Sequence, residues 1–166
     1  MPKGPAARIL DPVEHKLPPV LTGGPTAITV WIGYKLAWRG VGPGVADALQ
    51  AAKKISDAAI KTAETATKAA AGTPGAPAAK AAEEAVKLGA AAAMGGMISG
   101  MAGGADIHAC LTLLPIPPHG PGVVITPSAT VKISGMPAAR EGDTILEAVG
   151  PPNKIKKGCK TVVIGG

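Results

Sequence analysis

The runs Ala129-Thr130-Val131-Lys132-Ile133-Ser134-Gly135 and Lys160-Thr161-Val162-Val163-Ile164-Gly165-Gly166 decide how this chain reads. In both, β-branched residues alternate with partners and glycine ends the run, the pattern of a short half-buried strand stopped by a turn. A third run, Ala27-Ile28-Thr29-Val30-Trp31-Ile32-Gly33, repeats the form Thr-Val-x-Ile with glycine close behind. Two of the three continue to a small residue and an arginine, at Ala37-Trp38-Arg39 and Ala138-Ala139-Arg140. Recurrence of one strand-and-turn unit predicts quasi-symmetric packing of the units about an axis.

Such units need help to hold together, because the chain is poor in bulky side chains. Its 166 residues leave room for one domain with an inserted element. The 46% apolar fraction is largely alanine, with no Phe, one Tyr and two Trp, while 23 Gly and 17 Pro make up close to a quarter of the chain. A cross-link or a partner surface must make up the shortfall in core. The net charge of +6 would fit an acidic partner, yet aromatics are too few to stack on bases and no nucleic-acid motif is present. Nucleic acid is therefore excluded as a partner. The start, Met1-Pro2-Lys3-Gly4-Pro5, lacks an apolar h-region, so the expectation is synthesis in the cytoplasm without a Sec signal.

Residues 45–104 differ in composition and read as an antiparallel helical hairpin. Alanine fills most apolar positions of the first helix, and Asp57/Lys61, Glu64/Lys68 and Glu83/Lys87 are acid-before-base pairs four apart. Gly72-Thr73-Pro74-Gly75-Ala76-Pro77 breaks the two helices apart. The uncharged run from Leu88 to Ala105 carries Gly96, Gly100 and Gly104 at spacing four, which permits close helix approach in membranes as well as in water. Alanine and glycine give little transfer energy, so membrane contact is not the favoured reading.

The chemistry-bearing residues lie at the two ends of the chain. His15, His108, His119 and Cys159 make a three-nitrogen, one-sulfur set, the closed tetrahedral combination that suits structural Zn2+. Lys154, Lys156, Lys157 and Lys160 surround Cys159 and favour its thiolate, and Gly158 permits close backbone approach. Cys110 either replaces one histidine or fills the core as a small apolar side chain, and the two cysteines could instead form one disulfide. A catalytic zinc would draw on Asp106, Asp143 or Glu147 as acid or base, and a nucleophile pair could come from Cys159 and His119. Neither an oxyanion site nor a substrate cleft accompanies them, so a small zinc hydrolase is the minor alternative.

At these residues the chain resembles the PAAR-repeat family, which caps the spike of the bacterial type VI secretion apparatus. The resemblance rests on Met136-Pro137-Ala138-Ala139-Arg140-Glu141-Gly142-Asp143, Asp106-Ile107-His108-Ala109-Cys110, Pro118-His119-Gly120, and Gly150-Pro151-Pro152-Asn153-Lys154-Ile155 leading to Gly158-Cys159. At the other end, Ala6-Ala7-Arg8-Ile9-Leu10-Asp11-Pro12-Val13-Glu14-His15 is similar to the short motif that precedes and completes such domains. The resemblance implies a mainly β fold: a small, cone-shaped, zinc-stapled β-repeat domain of quasi-threefold character, built from residues 1–44 and 105–166. The helical hairpin of 45–104 would be an insert. It further implies zinc near the sharp end on His15, His108, His119 and Cys159, and a broad base seated on the trimeric VgrG β-helix. Val131, Ile133, Val162 and Ile164 are candidates for the interior or for that base. The function so implied is a non-enzymatic spike tip, exported with the type VI spike. The alternative is an effector carrier whose helices bind a chaperone or a target membrane. Two departures from the family pattern stand out: the first repeat, at Trp38-Arg39-Gly40-Val41-Gly42, lacks the Gly-Asp ending, and Thr126-Pro127-Ser128 replaces the expected Gly-Ser.

Overall fold

The computed structural model describes residues 3–15, 19–24, 27–113 and 118–166. Each of the three recurring runs forms one arm of a small antiparallel hairpin. β2 (Trp31–Ile32) pairs with β3 (Lys35–Leu36), and β6 (Lys132–Ile133) pairs with β7 (Met136–Pro137). The two share one register, Trp31 opposite Leu36 and Lys132 opposite Pro137. Both turn through two residues of positive φ, Gly33-Tyr34 and Ser134-Gly135, the mirror-image turn whose twist suits a two-residue hairpin. The third pair is hairpin-like in register only, since no turn links its strands and it joins the two ends of the chain. β1 (Gly4–Ala6) pairs with β10 (Cys159–Ile164), with Pro5 opposite Val163 in the same relative register. Gly158 permits this closure, because a Cβ there would lie 2.6 Å from the Pro5 carbonyl oxygen and 2.7 Å from that of Ala6.

The three hairpins meet on a closed ring of backbone hydrogen bonds. Ala7 N–H donates to Ala139 O, Ala139 N–H donates to Trp38 O, and Trp38 N–H donates to Ala7 O, each at 2.9 Å. All three residues are buried, and the ring defines a quasi-threefold axis. On one side of it, Ala6, Ala37 and Ala138 pack with Ile32, Ile133 and Ile164, one of each from every hairpin. On the other side, Val13, Leu21, Val124, Ile145 and Ile155 surround the fully buried Trp38. One arginine and one aspartate follow the ring in each unit. Arg8 bonds Asp11 at 3.0 and 2.8 Å, Arg39 bonds Asp106 at 3.1 and 2.8 Å, and Arg140 bonds Asp143 at 3.4 and 3.1 Å. The aspartate N–H returns to the arginine carbonyl in all three. The first repeat therefore does not lack its aspartate. Asp106 takes that place 67 residues beyond Arg39, on the far side of the helices.

Those helices are α1 (Pro43–Ala70) and α2 (Ala76–Met101). Proline occupies the first turn of each, where a missing N–H costs nothing. They run antiparallel: Thr67 donates to Ala79 O, and Lys87 bonds both Glu83 on its own helix and Glu64 on the other. Asp57 pairs back to Lys53, so of the three expected i,i+4 pairs the structure assigns Glu83/Lys87 as written and redirects the other two acids. The open end of the hairpin docks on a four-stranded sheet ordered β4 (Ile107–Leu113), β5 (Pro118–Val124), β8 (Thr144–Glu147), β9 (Asn153–Lys154). Leu49, Met94 and Ile98 bury against Val123, Ile125 and Leu146 there. Gly95 brings α2 close enough that a Cβ would stand 3.3 Å from Pro121. The result is a sheet-rich domain with two helices, and among the described residues no helix is long and apolar enough to cross a membrane.

Candidate metal centre

Beyond Val13, Leu21 and Ile145 the chain brings polar groups together in the interior. His15 follows Val13 on the N-terminal segment, His108 and Cys110 lie on β4, His119 on β5, and Glu147 ends β8. One donor atom from each of His15, His108, Cys110 and Glu147 lies within 4.8 Å of all the others. His15 Nε2 is 2.8 Å from His108 Nε2 and 3.1 Å from Glu147 Oε1. His108, Cys110 and Glu147 are each at most 2% exposed. Four ligand-type groups converging in a largely buried pocket form a site that could hold a metal ion.

Hydrogen bonds fix how these groups face. Thr22 N–H donates to His108 Nδ1 at 3.2 Å, which leaves a neutral His108 with its proton on Nε2, directed at His15. Glu147 is held by His119 Nδ1 at 2.5 Å and by Asn153 Nδ2 at 3.3 Å. The other nitrogen of His119, Nε2, is buried without a polar partner among the described residues and faces Gly150. His15 Nδ1 is likewise buried without a hydrogen-bond partner among the described residues. Burial pulls the His108 imidazolium pKa down to about 4, with His15 adding to the shift, and burial lowers His15 as well against the pull of Glu147.

The sequence set is brought together in part. His15 and His108 stack with ring centroids 5.0 Å apart, and His119 stands edge-on to His15 at 6.4 Å. Cys159 lies elsewhere. It lies opposite Ala6 where β10 pairs with β1, packs with Ile32, Ile133 and Ile164, and sets its Sγ 3.2 Å from Thr161 Oγ1. Its thiol pKa is lowered first by that Thr161 contact and also by Arg8, so the neighbouring lysines are not what acts on it. Neither cysteine is in a disulfide. Cys110 and Glu147 join the cluster instead. Glu147 had a legible signal, an acid ending the buried run Ile145-Leu146, where an unsatisfied carboxylate would be costly. Of the candidate base residues, Ile133 and Ile164 point into the interior, Val131 is half-buried beside them and Val162 is exposed. Asp106 and Asp143, weighed as acid or base, are both taken up by their arginines.

His108 is held neutral in the fold down to about pH 4, and burial shifts His15 in the same direction, while the unfolded chain protonates both near their ordinary pKa, so through His108 the unfolded state binds more protons between about pH 4 and 6.5. Stability contributed by the neutral pair is present above the unfolded pKa and is lost as pH falls through that window. Chelator-treated protein should therefore lose about 3 kcal/mol between pH 7 and pH 4 through His108 alone. Urea denaturation at stepped pH measures this, and a flat profile over that range would contradict it.

The ligand chemistry fits a tetrahedral divalent ion. Bonds of about 2 Å to nitrogen and oxygen place adjacent ligands about 3.3 Å apart, close to the 2.8 and 3.1 Å observed. In comparisons with known proteins, residues 116–166 match the family model described as PAAR motif. No curated protein and no solved structure matches the chain significantly.

Proposed function

With residues 116–166 matching the PAAR motif, as in a PAAR-repeat protein, we propose that this chain is the non-enzymatic tip of a type VI secretion spike. In this reading residues 1–44 and 105–166 form a cone-shaped module stapled by zinc, and 45–104 are an insert. The observation that carries it is the ring of Ala7, Trp38 and Ala139, which sets three equivalent hairpins around one axis. A base of that symmetry matches the blunt end of a threefold partner such as a VgrG trimer. Beyond the buried Ile32, Ile133 and Ile164, the hairpins present Trp31, Tyr34 and Val163, at 63, 97 and 61% exposed. Exposed large apolar groups on short two-stranded pairs suit docking by apolar contact and strand pairing. Tyr34→Asp combined with Val163→Asp should weaken capture by the cognate trimer at least tenfold in a titration, with the melting temperature unchanged. Capture that survives both changes would remove the docking reading.

A second reading, cargo carriage by the insert, is supported by one feature. A groove of 440 Å³ between α1 and α2 is lined by Ile55, Val86, Met94 and Met97, with Ile55 75% exposed. Flotation of the full chain with liposomes, and co-purification with an effector or chaperone encoded nearby, separate membrane contact from protein carriage.

A further inference from the structure

We propose that the metal at this centre is bound by His15, His108, Cys110 and Glu147, with His119 outside the coordination sphere and Cys159 taking no part. The proposal rests on the zinc-staple reading and departs from a three-histidine, one-cysteine set. Geometry is the first support: the four named donor atoms are mutually within 4.8 Å. Cys159 instead contacts Thr161 in another layer of the fold.

Charge is the second support. A thiolate and a carboxylate together cancel the two charges of the ion, so the occupied site is neutral. Glu147 sits in the pocket whichever groups ligate, 1% exposed and 3.1 Å from His15 Nε2, so its charge is best matched by bonding the ion directly. A buried carboxylate is costly unless paired, and direct ligation pairs it.

His119 has the placement of an orienting residue. It holds Glu147 Oε2 through Nδ1, while Asn153 Nδ2 reaches Oε1, the oxygen that also faces His15. Its free nitrogen lies against Gly150, where a Cβ would come within 2.9 Å of Nε2. Partners of this kind fix the rotamer and basicity of a ligand without touching the metal. Binding also has a consequence at Thr22. A cation on His108 Nε2 moves the ring proton to Nδ1, so the Thr22 N–H loses its acceptor.

Cobalt(II) titration of the full chain, first stripped with a chelator, tests the assignment. The wild type should give a thiolate-to-cobalt charge-transfer band together with tetrahedral d–d bands. Cys110→Ser should abolish the charge-transfer band, and Cys159→Ser should leave it intact. His119→Gln should keep the spectrum and weaken binding 10–100-fold, whereas Glu147→Gln should change the d–d bands. Because Cys110 and Glu147 are buried and substitution there risks the fold, the wild type loaded with cadmium-113 gives a variant-free readout. Coupling of the metal to the Cys110 β-protons and loss of protection at the Thr22 amide are expected. Coupling to Cys159, or a His119→Gln spectrum lacking one nitrogen ligand, overturns the assignment and leaves the staple standing. No metal uptake by the wild type overturns both.

Discussion

If the centre holds the proposed divalent ion, chelating it from the purified full chain is expected to lower the melting temperature by about 10 °C. Mass action sets the size. An ion present at a thousand times its dissociation constant stabilises the folded state by about 4 kcal/mol. A chain of this length shifts by about 2–4 °C per kcal/mol. The effect is large because the site ties distant segments together: His15 and His108 are 93 residues apart in sequence, and Glu147 lies on a third segment. A chain so poor in bulky side chains has little core to hold those segments once the link is gone. Scanning calorimetry with and without chelator, followed by restoration with zinc, measures the effect. A melting temperature indifferent to both would remove the staple.

The second large effect is expected at Asp106. Its carboxylate is fully buried, accepts from the Arg39 backbone N–H at 2.8 Å and from the guanidinium at 3.1 and 2.8 Å, and joins the two ends of the helical excursion. Removing one partner of a buried ion pair strands the other charge, at a cost of about 3–5 kcal/mol. Asp106→Ala should thus lower the melting temperature by about 10 °C. Arg39→Met combined with Asp106→Leu should recover much of that loss, since no charge remains to be stranded. The related change Asp11→Ala should cost less, because the Arg8 side chain is 15% exposed and water can take up its charge, whereas that of Arg39 is only 3% exposed. Chemical denaturation of the four proteins measures the order. Equal losses at Asp11 and Asp106 would show that burial does not set the cost.

The recurring Thr-Val-x-Ile runs were enough to foretell short strand-and-turn units packed about an axis, because side-chain alternation and turn glycine are local properties; the partner of each run, above all the pairing of the last with Gly4–Ala6, was not legible. The helices were legible for the same reason, through alanine content and the proline-glycine breaker. The pairing of Glu64 with Lys87 was not legible. It crosses between helices, and i,i+4 arithmetic sees only one helix at a time. His15 and His108 were legible as ligand-type residues but their neighbours were not. Cys159 has metal-ligand chemistry and a basic neighbourhood in sequence, yet strand register puts it opposite Ala6 and away from the histidines. Glu147 was weighed as an acid or base, and its convergence with His15 and His119 depends on how β8 pairs with β5.

Composition and pattern by themselves determined that this chain is a repeat of short strand-and-turn units, interrupted by an alanine-rich hairpin and short of core. Those are statements about neighbours along the chain, where sterics and periodicity act directly. Tertiary structure alone decided which arginine meets which aspartate across the insert, and which thiol and carboxylate join the histidines. Such contacts form between segments tens of residues apart, and their partners are selected by strand register and by the cost of leaving a buried charge unmatched.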